Sequence, residues 1–391
     1  MKELYILIGS SYEPEQDEYL KSHYYKRPPE LANVFYERTL LNGFGEAGVD
    51  TFFISAPEVG TFPFSCHVPK LKKKDFRSQR FSVVSYYTVA GIKHFSKASA
   101  IKRELFKFLK KNKKKYDSIV ILLCESYWPY LVAAKKAKKR YGIQVILMVP
   151  DLPRYVGNQA NFIKRLYVEA SNSLIKKMPD GYVFFANSML KEPYINKDKP
   201  YIISEGISSY QKALTPSSPR GEDDFILYAG SVSFANGMEL LLEAYQNLPL
   251  PKPKLLIVGS GDALKFIKKK EVDGVEILGL ISKAKVDELM KKARLFVSPR
   301  TPDSYCSYSF PSKVINYLAY RIPLVSFRLD CYPPELSDVI CYPKGVNARA
   351  LSEAMSSCLN GEWIPNEMVR DAVLEKLSNV TLVKSILSIN N

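Results

Sequence analysis

The chain has 391 residues, 46% of them apolar, and a net charge of +16. That length is long for one core and suits two, and the apolar and aromatic content excludes a disordered chain. Six scattered cysteines with no CxxC pair, and no apolar run of membrane-spanning length, exclude a disulfide scaffold and an integral membrane protein from the expectations. The charge is uneven. Residues 1–200 hold 34 Lys and Arg against 19 Asp and Glu, which is +15 of the total. It concentrates at Lys70–Lys74, Lys107–Lys115 and Lys135–Arg140. Such a half can lie on anionic lipid or nucleic acid, or simply be a solvated basic face.

In chain order, MKELYILIGSS is too short in apolar length for a signal peptide and reads as a first strand, Leu4–Ile8, with Gly9-Ser10-Ser11 as its turn. Residues 12–27 show no clear period. Pro28-Pro29 opens a helix to about Asn42, closed by Gly43, Gly45 and Gly48, before a strand Thr51–Ser55. Residues 56–95 are the least regular. There the apolar Gly60-Thr61-Phe62-Pro63-Phe64 run lies near the lysines at 72–74, which suits either a membrane interface or a buried loop with a charged rim. A basic helix spans 98–115, a strand Ser118–Cys124, a helix 130–141, a strand Gln144–Val149, a helix 159–177, and strands Gly181–Phe185 and Tyr201–Ser204. Strands alternating with helices predict a parallel, doubly wound sheet. Asp151, Arg154 and Glu125 fall just past strand ends; a cap or turn is the commoner role for each.

Residues 211–222 are rich in Ser, Pro and charge and read as a linker. A second alternation follows, with strands at 225–228, 254–258, 275–278 and 295–297 and helices at 238–247 and 283–293. The expected division is 1–210, a linker 211–222, a second domain 223–365, and C-terminal helices over 366–391 that can pack back on the first domain. Three strand-to-helix turns carry glycine: Gly230-Ser231, Gly259-Ser260-Gly261 and Gly279. Ligands of open α/β sheets sit at that end of the strands, so three such turns in register predict a nucleotide crevice. The stretch Tyr308-Ser309-Phe310-Pro311-Ser312-Lys313 leads into a helix over 314–320. Ser309 is placed to cap it and Pro311 suits its first turn; free N–H groups and the Lys313 ammonium then favour an anion, a phosphate above all. Arg300 stands at the end of the preceding strand and reads either as a second cation for that anion or as a surface side chain.

The Ser-Phe-Pro-Ser-Lys run before Asn316-Tyr-Leu-Ala and a Pro-Leu-Val strand resembles the donor-binding segment of glycosyltransferase family 4, of GT-B fold. That family usually carries two glutamates where this chain has Tyr308 and Asn316; a bacterial surface-polysaccharide branch similarly begins the segment with Tyr. Ala229-Gly230-Ser231 through Asn236-Gly237 resembles the family's diphosphate-binding motif, with Ser231 and Asn236 in place of Arg and Lys. Leu280-Ile281 falls where the family holds the nucleobase. Gly45-Glu46-Ala47-Gly48-Val49-Asp50 is similar to a helix-to-strand turn of its acceptor domain.

The resemblance implies two Rossmann-like domains facing a cleft and a retaining, metal-independent transfer from a nucleotide-sugar to a glycan, the expected acceptors being lipid-linked ones of capsule, exopolysaccharide or O-antigen synthesis. It implies catalytic roles for Arg300, Lys313 and Asp151. It implies donor contacts from Gly230, Ser231, Asn236, Gly237, Gly259, Ser260, Gly261, Leu280, Ile281, Tyr308, Ser309, Phe310, Pro311, Ser312 and Asn316. No cofactor is expected, the nucleotide-sugar being a substrate. No metal is expected either: the three histidines are far apart and no Asp-x-Asp is present. The expected location is the cytoplasm, peripheral to the inner membrane face through the basic half. Nucleic-acid binding has no motif behind it. The rival reading is a non-catalytic GT-B subunit that supports a partner transferase, for which Ser231, Asn236 and Asn316 speak.

Overall fold

The computed structural model describes residues 2–26, 32–76, 78, 80–152, 162–210, 212–214, 224–302, 308 and 310–389. The chain divides into two compact units, Met1–Ser204 with Asn379–Asn391, and Glu205–Ser378. The divisions anticipated at 210 and 366 thus fall at Ser204 and Ser378.

The first unit contains β1 (Glu3–Gly9), α1 (Asp17–His23), α2 (Ala32–Glu46), β2 (Asp50–Ser55), β3 (Lys70–Leu71), β4 (Phe81–Val83), β5 (Tyr86–Tyr87), α3 (Lys93–Asn112), β6 (Ser118–Leu123), α4 (Trp128–Tyr141), β7 (Gln144–Val149), α5 (Phe162–Lys177), β8 (Gly181–Phe184) and β9 (Tyr201–Ile203). Its seven-stranded sheet runs β4-β2-β1-β6-β7-β8-β9, every pair parallel. Leu4 to Ile8 and Val120 to Leu123 are fully buried on both faces. That is why these strands read as continuous apolar runs rather than alternating ones.

The second unit contains β10 (Phe225–Ala229), α6 (Met238–Gln246), β11 (Lys254–Val258), α7 (Leu264–Lys270), β12 (Val275–Gly279), α8 (Lys283–Lys292), β13 (Leu295–Ser298), α9 (Ser312–Leu318), β14 (Leu324–Ser326), α10 (Ala348–Leu359) and α11 (Glu367–Lys376). Its five-stranded sheet runs β12-β11-β10-β13-β14, again all parallel. Strand order reverses at β10, so the loops after β10 and β13 flank the switch point where such sheets bind ligands. α11 is tied in by Arg370, fully buried, which donates to the carbonyls of Tyr320 (2.5 Å) and Ile322 (3.2 Å). The last helix, α12 (Asn379–Ser388), belongs to the first unit and packs on α2.

Several local expectations are corrected. Gly43 and Gly45 do not end α2, which continues to Glu46. Gly43 instead lets α12 approach: a Cβ there would stand 2.7 Å from the Asn379 carbonyl oxygen. The stretch after β1 holds a short helix, α1, that aperiodic polarity concealed. The irregular 56–95 region holds the short strands β3 and β5, paired antiparallel, and the sheet-edge strand β4. α9 begins at Ser312, with Pro311 in the N-cap position and no side-chain cap, rather than with Pro311 in its first turn. Ser309, Pro28, Pro29, Arg154 and nearly all of the 211–222 linker lie outside the described residues.

Candidate functional site

The carboxyl end of the second sheet brings two cations together. Lys313, in the first turn of α9, donates to the Tyr228 hydroxyl at 2.8 Å and lies 4.5 Å from the centre of that ring. Tyr228 is buried in β10, and its own hydroxyl donates to the Ser231 carbonyl at 2.6 Å. Tyr228 thus fixes both the lysine and the turn after its strand. Arg300, buried past the end of β13, is near enough to repel the Lys313 charge. Burial first, and Arg300 second, push the Lys313 pKa down to about 7. Among the described residues no carboxylate pairs with Lys313. An ammonium held beside a guanidinium in a desolvated corner is stabilised by an incoming anion.

The neighbouring turns are braced by one another. Gly230 N–H donates to the Val258 carbonyl, Val232 N–H to Ser260, and Gly259 N–H to Gly279. Gly259 is required for this approach, since a Cβ would overlap the Gly230 carbonyl oxygen. Gly230 faces Lys313 directly: a Cβ there would stand 3.6 Å from Nζ. Gly259 and Gly261 therefore serve loop packing, whereas Gly230 borders the cations. Tyr317 in α9 reaches back to β10, donating to the Ala229 carbonyl (3.1 Å) and accepting from Ala229 N–H (2.8 Å). This fixes α9, and with it Lys313, against the switch-point strand.

The other anticipated donor residues scatter over the same loops. Ser231 is exposed, and the Asn236 amide turns inward to the Ser231 carbonyl (3.0 Å) and the Ser233 hydroxyl (2.8 Å). Gly237 forms the left-handed N-cap of α6. Leu280 is exposed and Ile281 half-buried after β12. Ser312 and Asn316 are exposed on α9, Pro311 is buried, and Phe310 packs 5.4 Å from Tyr332. Tyr308 is half-buried.

Asp151 belongs to the first unit, at the carboxyl end of β7, where its carbonyl accepts from the Ser126 hydroxyl at 3.2 Å. Around it the first sheet gathers Glu125, anticipated past the end of β6, and two charged groups that the sequence did not single out, Glu37 and Lys97. Glu37 lies in the core of α2 and takes the Ser10 and Ser11 amides at 2.8 and 2.7 Å. The Gly9-Ser-Ser turn thus spends its free N–H groups on a protein carboxylate. Glu125 accepts from Asn33 at 2.9 Å. Burial raises the pKa of both glutamates; the charge of Glu125 adds to that of Glu37, and the charge of Glu58 to that of Glu125. Lys97 is fully buried, 2.6 Å from Glu58 and above the rings of Tyr86 and Tyr127. The available signal was position. Glu37 shares a helical row with Val34 and Leu41, and Lys97 with Ile101 and Leu105, so each is a charge on an apolar face. No group of three or more metal-ligating side chains occurs among the described residues.

A family model for glycosyl transferases group 1 matches residues 211–373. Three solved structures are similar over nearly the whole chain. The apo lipopolysaccharide outer core galactosyltransferase WaaB has TM-score 0.62 and 13% identity, over 99% of this chain and 98% of its own. Sucrose-phosphate synthase from Thermosynechococcus elongatus has TM-score 0.60 and 14% identity, over 99% of each chain. HepE of Anabaena, in complex with UDP, has TM-score 0.55 and 11% identity, also over 99% of each. None of the curated proteins matches the sequence. The class is therefore a GT-B fold of two Rossmann-like units. Within the second unit, residues 211–373 match the model of the group 1 glycosyltransferases.

Proposed function

We propose that the chain is a retaining glycosyltransferase that moves a sugar from a nucleoside-diphosphate sugar to a lipid-linked glycan of a surface polysaccharide. The observation that carries this reading is the pair of cations, Lys313 and Arg300, at the switch point of a group 1 unit. In the transfer the bond between the anomeric carbon and the diphosphate breaks. Negative charge grows on the leaving phosphate, and the acceptor oxygen bonds that carbon and passes its proton to the departing phosphate oxygen. Lys313 and Arg300 are assigned to that charge, and no metal is called for in this role. Retention rests on the family resemblance. Tyr308, Phe310 and Asn316 are assigned to the donor's sugar and ribose, Leu280 and Ile281 to its base, and Asp151 to the acceptor. HepE, described with bound UDP, supports a uridine nucleotide as the first to try.

The test is thermal stability of the whole chain against UDP-, GDP-, dTDP- and CMP-sugars, with and without divalent metal. One nucleotide should raise the melting temperature, and Lys313→Ala should abolish that rise. No rise with any of them would sink the donor assignment. It would favour the second reading, a non-catalytic subunit, which the inward-turned Asn236 amide and the missing cation at Ser231 support.

The basic first half is assigned to an anionic membrane surface at the cytoplasmic face, where a lipid-linked acceptor is presented. No described helix is long and apolar enough to cross a membrane. Vesicle binding should weaken as salt rises from 50 to 500 mM; binding indifferent to salt would defeat the electrostatic account.

A further inference from the structure

Helix α3 separates two depressions in the first unit, and neither is used by the chemistry above. On one side is a groove of about 590 Å³, whose lining includes Lys70, Lys73, Tyr87, Ser99, Arg103 and Glu104. On the other is a cleft of about 140 Å³ lined by Phe95, Ser99, Lys102, Trp128, Val132 and Lys136, among others. Ser99 borders both and is exposed, so the ridge between them carries a short polar side chain.

Their chemistry is different and complementary. The groove presents three cations against one carboxylate. Glu104 is already occupied by Lys73 at 3.4 Å and the Ser82 hydroxyl at 2.7 Å, while Lys70 stands 4.9 Å from the Tyr87 ring centre. Arg103 is exposed and has no hydrogen-bond or ion-pair partner among the described residues. The cleft is lined by Phe95 and Trp128, edge to face at 5.3 Å, together with Lys102 and Lys136. Phe95 leaves 66% of its surface in water, Ile92 three residues earlier 49%, and Tyr87 47%. Single exposed apolar residues need no explanation. Phe95 with Lys102 and Lys136 on one side of the helix, and Tyr87 with Lys70 and Arg103 on the other, fit a ligand with a phosphate at one end and hydrocarbon at the other.

We infer that the two depressions flanking α3 form one binding site for an anionic phospholipid, its phosphate in the groove by Lys70 and Arg103 and its hydrocarbon against Phe95 and Trp128. Five cations against a single, already paired carboxylate select an anionic headgroup. The aromatic pair Phe95–Trp128 selects a lipid over a free anion. The inference deepens the membrane assignment above, on which it rests for the source of the lipid, and it is independent of the donor site.

The test uses the full chain and vesicles of phosphatidylcholine with or without about a third of anionic phospholipid. The chain has only two tryptophans, Trp128 and Trp363, so Trp363→Phe leaves Trp128 as the reporter. Its emission should shift to the blue on anionic vesicles and be quenched by acyl chains brominated near the headgroup. Each basic residue near the surface changes binding about fivefold. On that scale the double variant Lys70→Glu/Arg103→Glu should bind well over tenfold more weakly, and Phe95→Ser about tenfold. Lys110→Glu/Lys114→Glu makes the same charge change outside both depressions and should cost clearly less. An unchanged circular dichroism spectrum and melting temperature without nucleotide certify that each variant is folded. An unshifted, unquenched Trp128, a Lys110/Lys114 variant as weak as the groove variant, or tighter binding of free glycerol phosphate than of vesicles would each overturn the site. Failure of the donor reading would show instead as a lost nucleotide response with vesicle binding intact.

Discussion

At the scale of single residues, the proposed site turns on how Lys313 is held. Its ammonium is desolvated, repelled by Arg300 and bonded to Tyr228, and its pKa is pushed down to about 7. A bound diphosphate would restore the charged form and raise that pKa again. Donor affinity should therefore be greatest near and below pH 7. It should fall by up to about tenfold per pH unit above it, until the pKa of the bound state is reached. Calorimetric titration with the nucleotide in buffers of different ionisation enthalpy should show proton uptake near pH 8. Lys313→Met should abolish both the slope and the uptake. Tyr228→Phe should keep the uptake and weaken binding by about 1.5–3 kcal/mol, the scale of a hydrogen bond to a charged group. A pH-independent affinity in the unmodified chain would refute this account of Lys313. Tyr228 was not legible as a functional residue: in Phe225-Ile-Leu-Tyr-Ala it reads as one more buried strand side chain.

At the scale of elements, glycine carried more than one meaning. Gly43 was read as a stop signal, because glycine commonly ends helices. The helix runs through it, and the missing side chain makes room for the Asn379 backbone of a segment more than 300 positions away. No local pattern encodes a contact of that kind. Gly43→Val should destabilise the first unit by about 3 kcal/mol by overpacking the α2–α12 contact, read as a lowered midpoint in urea. Truncation before Asn379 should cost at least as much, and a Gly43→Val midpoint equal to that of the unmodified chain would remove the argument. The strands and most helices were legible to within a few residues, because fully apolar runs bounded by glycine and charge leave few other readings. The start of α9 was not: with Pro311 in the N-cap position, the seven-residue helix gains no side-chain cap.

At the scale of the whole molecule, the two units differ in their response to pH. In the first unit burial raises the pKa of Glu37 and Glu125. A carboxyl raised on folding contributes stability that is full below the ordinary carboxylate value and is lost as pH rises through the folded value. The first unit should therefore melt at progressively lower temperature as pH goes from about 5 towards 8, and Glu37→Gln should flatten that fall. Calorimetry resolves this if the units unfold separately. A Glu37→Gln profile parallel to that of the unmodified chain would show that Glu37 is not the group responsible. The charge asymmetry belongs to this scale too. It was plain in the sequence as +15 in the first 200 residues. Which of those cations stand beside exposed aromatics was not, because Lys70 meets Tyr87 through the pairing of β3 with β5, and Phe95 meets Trp128 through the packing of α4 on α3.

The sequence by itself determined the parallel α/β class, the alternation of elements and the segment that carries Lys313. Those depend on apolar periodicity, on turn residues and on a local motif, all of which are read within a few tens of residues. Tertiary structure alone decided that Tyr228 holds Lys313, that Glu37 occupies the amides of the Gly9-Ser10-Ser11 turn, and that α12 but not α11 returns to the first unit. Each is a contact between residues distant in sequence. Its energy comes from desolvation and from shape at the point of meeting, neither of which has a periodic signature.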